Sequence, residues 1–504
     1  MEANVRLDRH GATPLYRQLY EQLAALMRSG ALPAGSRLPP ERRLATSLGV
    51  NRSTVVNAYR ELQAAGLVEG RVGSGTVVLA AADDRERPSV LPWWQLMASA
   101  PATTGGPLLD EVAAICAREG VISFARGAPA PELFPLAQFQ RALDGVLARH
   151  GAAVLEDAPP EGHRGLREAI AERMGAMGVR ATAEDVLIIG GSHEGLYLLS
   201  RVLLEPGDLV VVEAPTYHGA LRVFRAAGAR VLAVPVDENG MQVDLLESVL
   251  LRQRPKFIYT LPTFHNPTGT TLSLTRRRRL LALAARYQVA VVEDDPYSAL
   301  RYEGEDLPSL KQMDESFSVA YLGTFSKILA PGLRLGWLVA PPPLLRRAAS
   351  LKRMVDLHTA SLPQWAVAEL CRSGALVPHI VHLRAQYRRR RDLMAAALAR
   401  HWPRDGRWRP PSGGFYVWAE LPPGLRARNL LGIASRLGLA FLPGEAFYAD
   451  GQGEGALRLN FSYPPADSIE EGVDRLGRAV ARLRGERVAG KVAVESPASV
   501  RIIV

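Results

Sequence analysis

Only five lysines occur in the 504 residues (Lys256, Lys311, Lys327, Lys352 and Lys491), so the candidates for an amine that forms an imine are few. Lys327 stands in GTFSKILAPGLRLGW, directly after the apolar run VAYL at 319–322. Its neighbours Thr324, Ser326 and Arg334 are all able to hold a phosphate. Burial among apolar residues beside cations lowers an ammonium's pKa and makes a nucleophile of it. Lys256, Lys311 and Lys352 read instead as surface side chains whose stems lie along apolar ground.

Other residues could complete a site around that amine. Asp294 closes the run VAVV at 289–292 and precedes Asp295-Pro296-Tyr297. A carboxylate there can salt-bridge a pyridinium nitrogen, and Tyr297 can donate to a ring oxygen; taken alone, the acidic run is as readily a solvated turn. Asn266, in His265-Asn266-Pro267-Thr268-Gly269, can reach the same oxygen, although an Asn-Pro pair is also an ordinary turn. Gly190-Gly191-Ser192-His193 lies between a strand and a helix, where backbone N–H groups and the helix dipole cradle phosphate. Tyr217 can stack on a ring or pack in the core. Arg458, in GALRLNFS, suits a bidentate carboxylate or a structural ion pair. An imine lysine, a carboxylate for the ring nitrogen, ring-oxygen and phosphate donors, and a receptor for a substrate carboxylate are what pyridoxal 5′-phosphate requires. No metal site is expected.

The elements that must position these groups follow from the hydrophobic pattern. From about Ile122 to Arg484, the apolar runs VLIIG, DLVVVEAP, RVLAVPV, KFIYTLP, VAVVEDD, VAYLGT and LGWLVA alternate with amphipathic helical segments. Continuous apolar strands separated by helices predict an α/β domain, a mostly parallel sheet covered on both faces with ligands at the strand ends. We place this domain at 116–486, after a linker at 81–115 rich in Pro, Gly, Ala and charge, in which Trp93-Trp94 suggests a short docking segment. Residues 487–504 form a tail.

Residues 11–80 read differently. Leu15, Leu19, Leu23 and Leu26 recur at helical spacing, Pro39-Pro40-Glu41 opens a second helix, and Gly49-Val50-Asn51 is a tight turn into a third that ends near Ala65-Gly66. Two short strands then flank Val72-Gly73-Ser74-Gly75. Helix, turn, helix and hairpin in that order describe a winged helix-turn-helix. Asn51-Arg52-Ser53-Thr54 would enter a major groove, where arginine pairs with a guanine edge and the hydroxyls reach bases or phosphates. For an isolated helix, the same four residues are more often an N-cap cluster.

The composition, 47% hydrophobic and 22% charged, is that of an ordinary globular protein. The chain length calls for at least two domains. No apolar stretch approaches the ~20 residues of a membrane helix, the N-terminus does not read as a signal peptide, and two cysteines suit a reducing cytoplasm. The net charge of +10 points weakly to polyanion partners.

The segment from Pro14 to Val78 closely resembles the DNA-binding domain of GntR-family regulators. That resemblance implies DNA contacts from Arg42, Arg52, Ser53, Thr54 and the Gly73 wing. ISFARGAPAPELFP, GSHEGL, HNPTG, VVEDDPYSALRY, GTFSKILAPGLRLGW, GGFYVWAELP and RLNFS, in that order, resemble a fold-type I aminotransferase with a smaller C-terminal subdomain. End to end, the chain is similar to MocR/GabR-type chimeric regulators. The resemblance implies an internal aldimine on Lys327, Asp294 on the ring nitrogen, and Asn266 and Tyr297 on the ring oxygen. Ser192, Thr324 and Arg334 would hold the phosphate, with Gly191, His193 and Ser326 beside them. Tyr217 would stack on the ring, and Arg458 would take a carboxylate.

It further implies a cytoplasmic homodimer that binds operator DNA and senses an amine, amino acid or vitamer through an external aldimine. Active transamination with an accessory DNA-binding head is the alternative. Three positions depart from the aminotransferase pattern. Asp157 falls near a tyrosine that reaches the partner's phosphate, Arg126 replaces a small residue at the substrate's edge, and His193 stands where glutamine is common. Arg126 adds a second cation and makes dicarboxylate or phosphorylated ligands more plausible, and with Asp157 it favours sensing over turnover.

Overall fold

The computed structural model describes residues 5, 7–9, 13–71, 75–79 and 106–485. Gly73, Trp93-Trp94 and the tail at 487–504 lie outside the described residues. The chain divides into two compact units, within residues 1–99 and 100–504.

In the first unit, α1 (Leu15–Arg28), α2 (Glu41–Leu48) and α3 (Arg52–Ala64) enclose Leu19, Leu23, Met27, Val55, Tyr59 and Leu62. The antiparallel pair β1 (Val68–Arg71) and β2 (Gly75–Val78) closes this core with Val68 and Val78. Gly49 ends α2 at φ 61°, the left-handed conformation that lets the chain turn sharply into α3. Asn51 is indeed an N-cap, its Oδ1 accepting the Ser53 N–H at 3.1 Å. Capping by Asn51 leaves Arg52 and Ser53 exposed at the start of α3.

The second unit contains β3 (Ile122–Ser123), β4 (Val186–Ile189), β5 (Leu209–Ala214), β6 (Arg230–Asp237), β7 (Gly240–Met241) and β8 (Phe257–Thr260). There follow β9 (Ala290–Asp295), β10 (Val319–Thr324), β11 (Gly336–Val339) and β12 (Arg407–Trp408). The last four are β13 (Tyr416–Glu420), β14 (Leu439–Ala440), β15 (Leu442–Pro443) and β16 (Ala456–Asn460). Eight of them form the main sheet, in the order β4-β11-β10-β9-β8-β5-β6-β7. Pairing is parallel from β10 through β9, β8 and β5 to β6, whereas β11 runs antiparallel to both β10 and β4. The apolar runs are explained by burial on both faces. Val186 and Ile188 of β4 join one core, Leu187 and Ile189 another, and all four are inaccessible to solvent. A smaller antiparallel sheet, β12-β13-β16-β15, carries Tyr416 and Arg458.

This topology collects the chemistry on one edge. The parallel strands all end there, and β11, being reversed, begins there, so Arg334 just ahead of β11 meets the residues that follow β4 and β10.

One expectation needs correcting. The end of the 81–115 segment is no tether but a helix, Pro107–Cys116. Leu108, Val112 and Ile115 recur at i, i+4 and i+7 and are buried in the core of the large unit, and Pro107 sits at the helix start, where a proline is tolerated. Val112→Asp should therefore destabilise the large unit by about 3 kcal/mol or more, because it buries an unpaired charge. Ala114→Asp on the exposed face of the same helix should stay within about 0.5 kcal/mol. Chemical denaturation of the two variants checks this.

Candidate functional site

The residues singled out in the large unit converge on a cleft of about 780 Å³ at that sheet edge. Its lining includes Gly191, Ser192, His193, Tyr217, Asn266, Asp294, Tyr297, Thr324, Ser326, Lys327, Arg334 and Arg458. A volume of this size suits a cofactor with a small ligand.

Asp294 lies at the floor. It is 2% exposed, Oδ2 accepts the Tyr259 hydroxyl at 2.9 Å, and Oδ1 has no hydrogen-bond partner. Burial pushes this carboxyl up to about 7, opposed by the Tyr259 hydrogen bond. An unpaired buried carboxylate oxygen opening on a cleft is a receptor for a cationic N–H. Lys327 follows β10, the neighbour of β9, and its Nζ donates to the Gly127 carbonyl oxygen at 2.8 Å. Desolvation drives its ammonium below the ordinary range, and Arg458 and Arg334 act in the same direction. Burial thus disfavours the charged form of this lysine, although the Tyr416 hydroxyl and Asp294 oppose the shift.

At the other end, Gly191 caps the helix Ser192–Leu203 at φ 104°, and a Cβ there would lie 2.9 Å from Arg334 Nη2. Arg334 itself is left-handed at φ 52°, a conformation that costs a non-glycine residue roughly 1–2 kcal/mol. That turn aims its guanidinium at the Gly190 carbonyl oxygen. Backbone N–H groups at a helix N-terminus beside an arginine make an anion cradle. The Thr324 hydroxyl closes its own turn, donating to the Leu335 carbonyl at 3.2 Å and accepting the Ser326 N–H at 3.0 Å. Burial, with Arg222 and Arg334 nearby, keeps the His193 imidazole below its ordinary pKa.

Arg458 is 3% exposed and makes no ion pair among the described residues. Nη1 donates to Asn266 Oδ1 at 2.9 Å and Nη2 to the Ala125 carbonyl at 2.7 Å, while the guanidinium lies over the Tyr416 and Phe447 rings at 4.2 and 5.0 Å. The Tyr297 hydroxyl is buried and bonded to that of Tyr416 at 3.0 Å.

Several participants were not singled out from the sequence. Tyr259 lies inside an apolar strand and carries no motif signal. Tyr416 is legible only in GGFYVW. A Cβ on Gly127 would collide with the Tyr416 hydroxyl, so this glycine permits the close approach. Leu109, Val112 and Ala113 of the helix Pro107–Cys116 form an apolar wall of the cleft.

Lys352 corrects another expectation. It is fully buried rather than on the surface, bonded to Glu194 at 3.1 Å and to Asp356. Glu194 in turn accepts the Gly190 N–H. Two acceptors, one of them on the neighbouring helix, hold the ammonium inside. Asp157 is almost fully exposed, pairs with His358 at 3.2 Å, and does not line the cleft.

In the small unit, Arg42, Arg52 and Ser53 are exposed and Thr54 is half-buried. Arg52 pairs with Glu41 at 2.9 Å, a surface contact worth at most about 1 kcal/mol. It can be exchanged for a phosphate or a base edge at little cost.

Comparison with known proteins agrees with this geometry. The aminotransferase class I and II family matches residues 121–476, and the gntR family of bacterial regulatory proteins matches residues 15–78. The chain is 42% identical to aromatic-amino-acid aminotransferase 1 of Thermococcus litoralis, over 71% of this chain and 88% of that enzyme. It is 32% identical to the probable rhizopine catabolism regulatory protein MocR of Rhizobium meliloti, over 95% of this chain and 96% of that one. Among solved structures, it resembles α-aminoadipate aminotransferase from Thermus thermophilus, complexed with N-(5′-phosphopyridoxyl)-L-leucine. The TM-score is 0.74 at 39% identity, covering 78% of this chain and all of that one. Aminotransferases of this class depend on pyridoxal phosphate, and the unpaired Asp294 oxygen and the cradle at Gly191 fit its ring nitrogen and its phosphate.

Asp294 yields a pH prediction. Its carboxyl titrates near 7 folded against 3.8 in the unfolded chain, so the folded state holds the extra proton between those values. The contribution to stability is complete below about pH 4 and is lost as pH rises through 7. Protein stripped of cofactor should lose more stability between about pH 5 and 8 than its Asp294→Asn variant, and added pyridoxal phosphate should shrink that difference. Denaturation midpoints across pH measure it.

Proposed function

Because this chain belongs to the class I and II aminotransferases and carries a gntR-family DNA-binding head, as MocR-type regulators do, we propose that it is a pyridoxal-phosphate-dependent transcriptional regulator. An amine, amino acid or vitamer bound in the cleft would alter its hold on operator DNA. The observation that carries this reading is the coexistence, on one chain, of a cleft supplied with every required group and a recognition helix whose Arg52 and Ser53 stand exposed.

Each residue has a task in this reading. The helix N-terminus at Gly191 and Ser192, with His193, Thr324, Ser326 and Arg334, would hold the phosphate. Asp294 would keep the ring nitrogen protonated, Tyr217 would cover the ring face, and Asn266 and Tyr297 would meet the ring oxygen. The bound cofactor supplies an electron sink for chemistry at the carbon bearing a ligand's amine. Lys327, whose ammonium burial disfavours, would offer the amine that anchors the cofactor and takes up or delivers a proton. Arg458, freed of any carboxylate of its own, would orient a ligand carboxylate, and the apolar wall from the helix Pro107–Cys116 would exclude water from that end. In the small unit, Arg42, Arg52, Ser53 and Thr54, with the wing at Gly73, would contact DNA. We place the protein in the cytoplasm as a homodimer.

Similarity to an aromatic-amino-acid aminotransferase at 42% identity favours a second reading, catalytic transamination with an accessory head. The two readings part on measurable quantities. The regulator should show ligand-dependent operator affinity and little turnover. Transamination at or above about 1 s⁻¹ without any ligand effect on DNA binding would decide for the enzyme.

Two substitutions test the components. Wild-type protein should be yellow, and Lys327→Ala should lose the imine band while Asp294 and Arg334 still permit weak uptake of cofactor as the free aldehyde; absorbance spectra check this. Arg52→Ala should weaken binding to a mapped operator by about 1–3 kcal/mol, as read by fluorescence anisotropy.

A further inference from the structure

The cleft is unbalanced in charge. Arg126, Arg222, Arg334, Arg458 and Lys327 line it against a single carboxylate, Asp294. Among the described residues, none of the five cations forms an ion pair. The imbalance is a property of this cleft and not of an arginine-rich chain. Another concavity on the same unit also gathers arginines, yet there Arg301 pairs with Asp306 at 2.8 Å and Arg388 with Glu303 at 3.5 Å.

The cofactor and a simple amino acid account for most of the surplus. The phosphate brings about two negative charges. Arg334 stands at its cradle, and Arg222 lies at the same end, since both cations depress the His193 imidazole beside the helix N-terminus. An α-carboxylate would take Arg458, and Asp294 would take the ring cation. Arg126 is then left without an anion.

Arg126 is held in place. It immediately precedes Gly127, whose carbonyl accepts the Lys327 Nζ, so its backbone is one peptide from the reactive amine's contact. Its Nη1 donates to the Tyr463 hydroxyl at 3.0 Å, and the guanidinium lies 4.7 Å from the Tyr463 ring centroid. An exposed arginine fixed by a tyrosine and lacking a carboxylate keeps its remaining donors for an incoming anion. Leu109, Val112 and Ala113 line the same cleft as Arg126 and Arg458, and their apolar side chains suit the methylenes of a short aliphatic chain.

We propose that Arg126 determines specificity: the ligand of this cleft is an amino acid with a second carboxylate at the end of its side chain, received by Arg126 while Arg458 takes the α-carboxylate. Tyr463 is the positioning residue for Arg126. The inference rests on the reading of the cleft as a pyridoxal-phosphate site for amino acids.

The test titrates full-length protein loaded with pyridoxal phosphate, following the cofactor's absorbance, with the near-isosteric pairs L-glutamate and L-glutamine, and L-2-aminoadipate and L-norleucine. Wild type should favour the acidic member of each pair by about tenfold or more, the scale of one hydrogen-bonded charge contact. Arg126→Gln should bring each pair to within about threefold, and Tyr463→Phe should fall between. Equal affinities within the wild-type pairs, or a preference for acids that persists in Arg126→Gln, would overturn the proposal while leaving the cofactor reading intact. A cofactor spectrum that responds to no amino acid at all would overturn both.

Discussion

The organisation of the large unit turns on one buried carboxylate that the protein leaves half satisfied. Asp294 receives a single hydrogen bond, from Tyr259, and its other oxygen is buried without a partner. Leaving such a group costs free energy on the order of 1–3 kcal/mol or more. Five cations surround the cleft, yet none is brought into contact with it. The fold thus leaves open a neutralising partner that a ligand can supply, and burial holds the Asp294 carboxyl above its ordinary range. Lys327 is the complementary case, an amine whose surroundings disfavour its charge. Both groups follow from adjacent parallel strands ending at one edge, β9 at Asp294 and β10 before Lys327, with Leu322 opposite Asp294 in the register.

The anion end is built with more redundancy. The peptide of Gly190 is gripped on both sides, its N–H by Glu194 and its carbonyl by Arg334. Behind Glu194 stands the buried ammonium of Lys352, itself anchored to Asp356. A glycine turn free to accept many conformations is in this way held to one. Reversal of β11 makes the grip possible, because only a strand beginning at this edge can deliver Arg334 from the opposite chain direction.

The residues legible in the sequence were those whose chemistry is unusual for their setting. A lysine after an apolar run, an acidic pair at a strand end and a double glycine before a helix all stood out, and the structure brings them into one cleft. The main sheet was legible for a related reason, since runs such as VLII and LVVV fit only strands buried on both faces. What escaped were side chains whose importance comes from distant partners. Tyr259 matters because it faces Asp294 from 35 positions away, and Tyr416 because it meets Tyr297 from 119. Lys352 was misjudged because nothing local distinguishes a lysine on a helix face that meets Glu194, 158 residues earlier, from one that meets water. The helix Pro107–Cys116 was hidden by its composition, for an Ala- and Gly-rich stretch before it reads as tether and its three buried apolar residues are too few to dominate a window.

That helix has a consequence for how such chains can be taken apart and recombined. Counted along the chain, it is the first described element after the small unit, yet it also forms a wall of the ligand cleft. A hybrid that joins a foreign head after residue 116 would transplant a receptor with one side missing. Joined ahead of Gly106, the same graft would carry a closed receptor. The seam between the two units of this chain therefore lies upstream of the point where the aminotransferase-like sequence begins at residue 121.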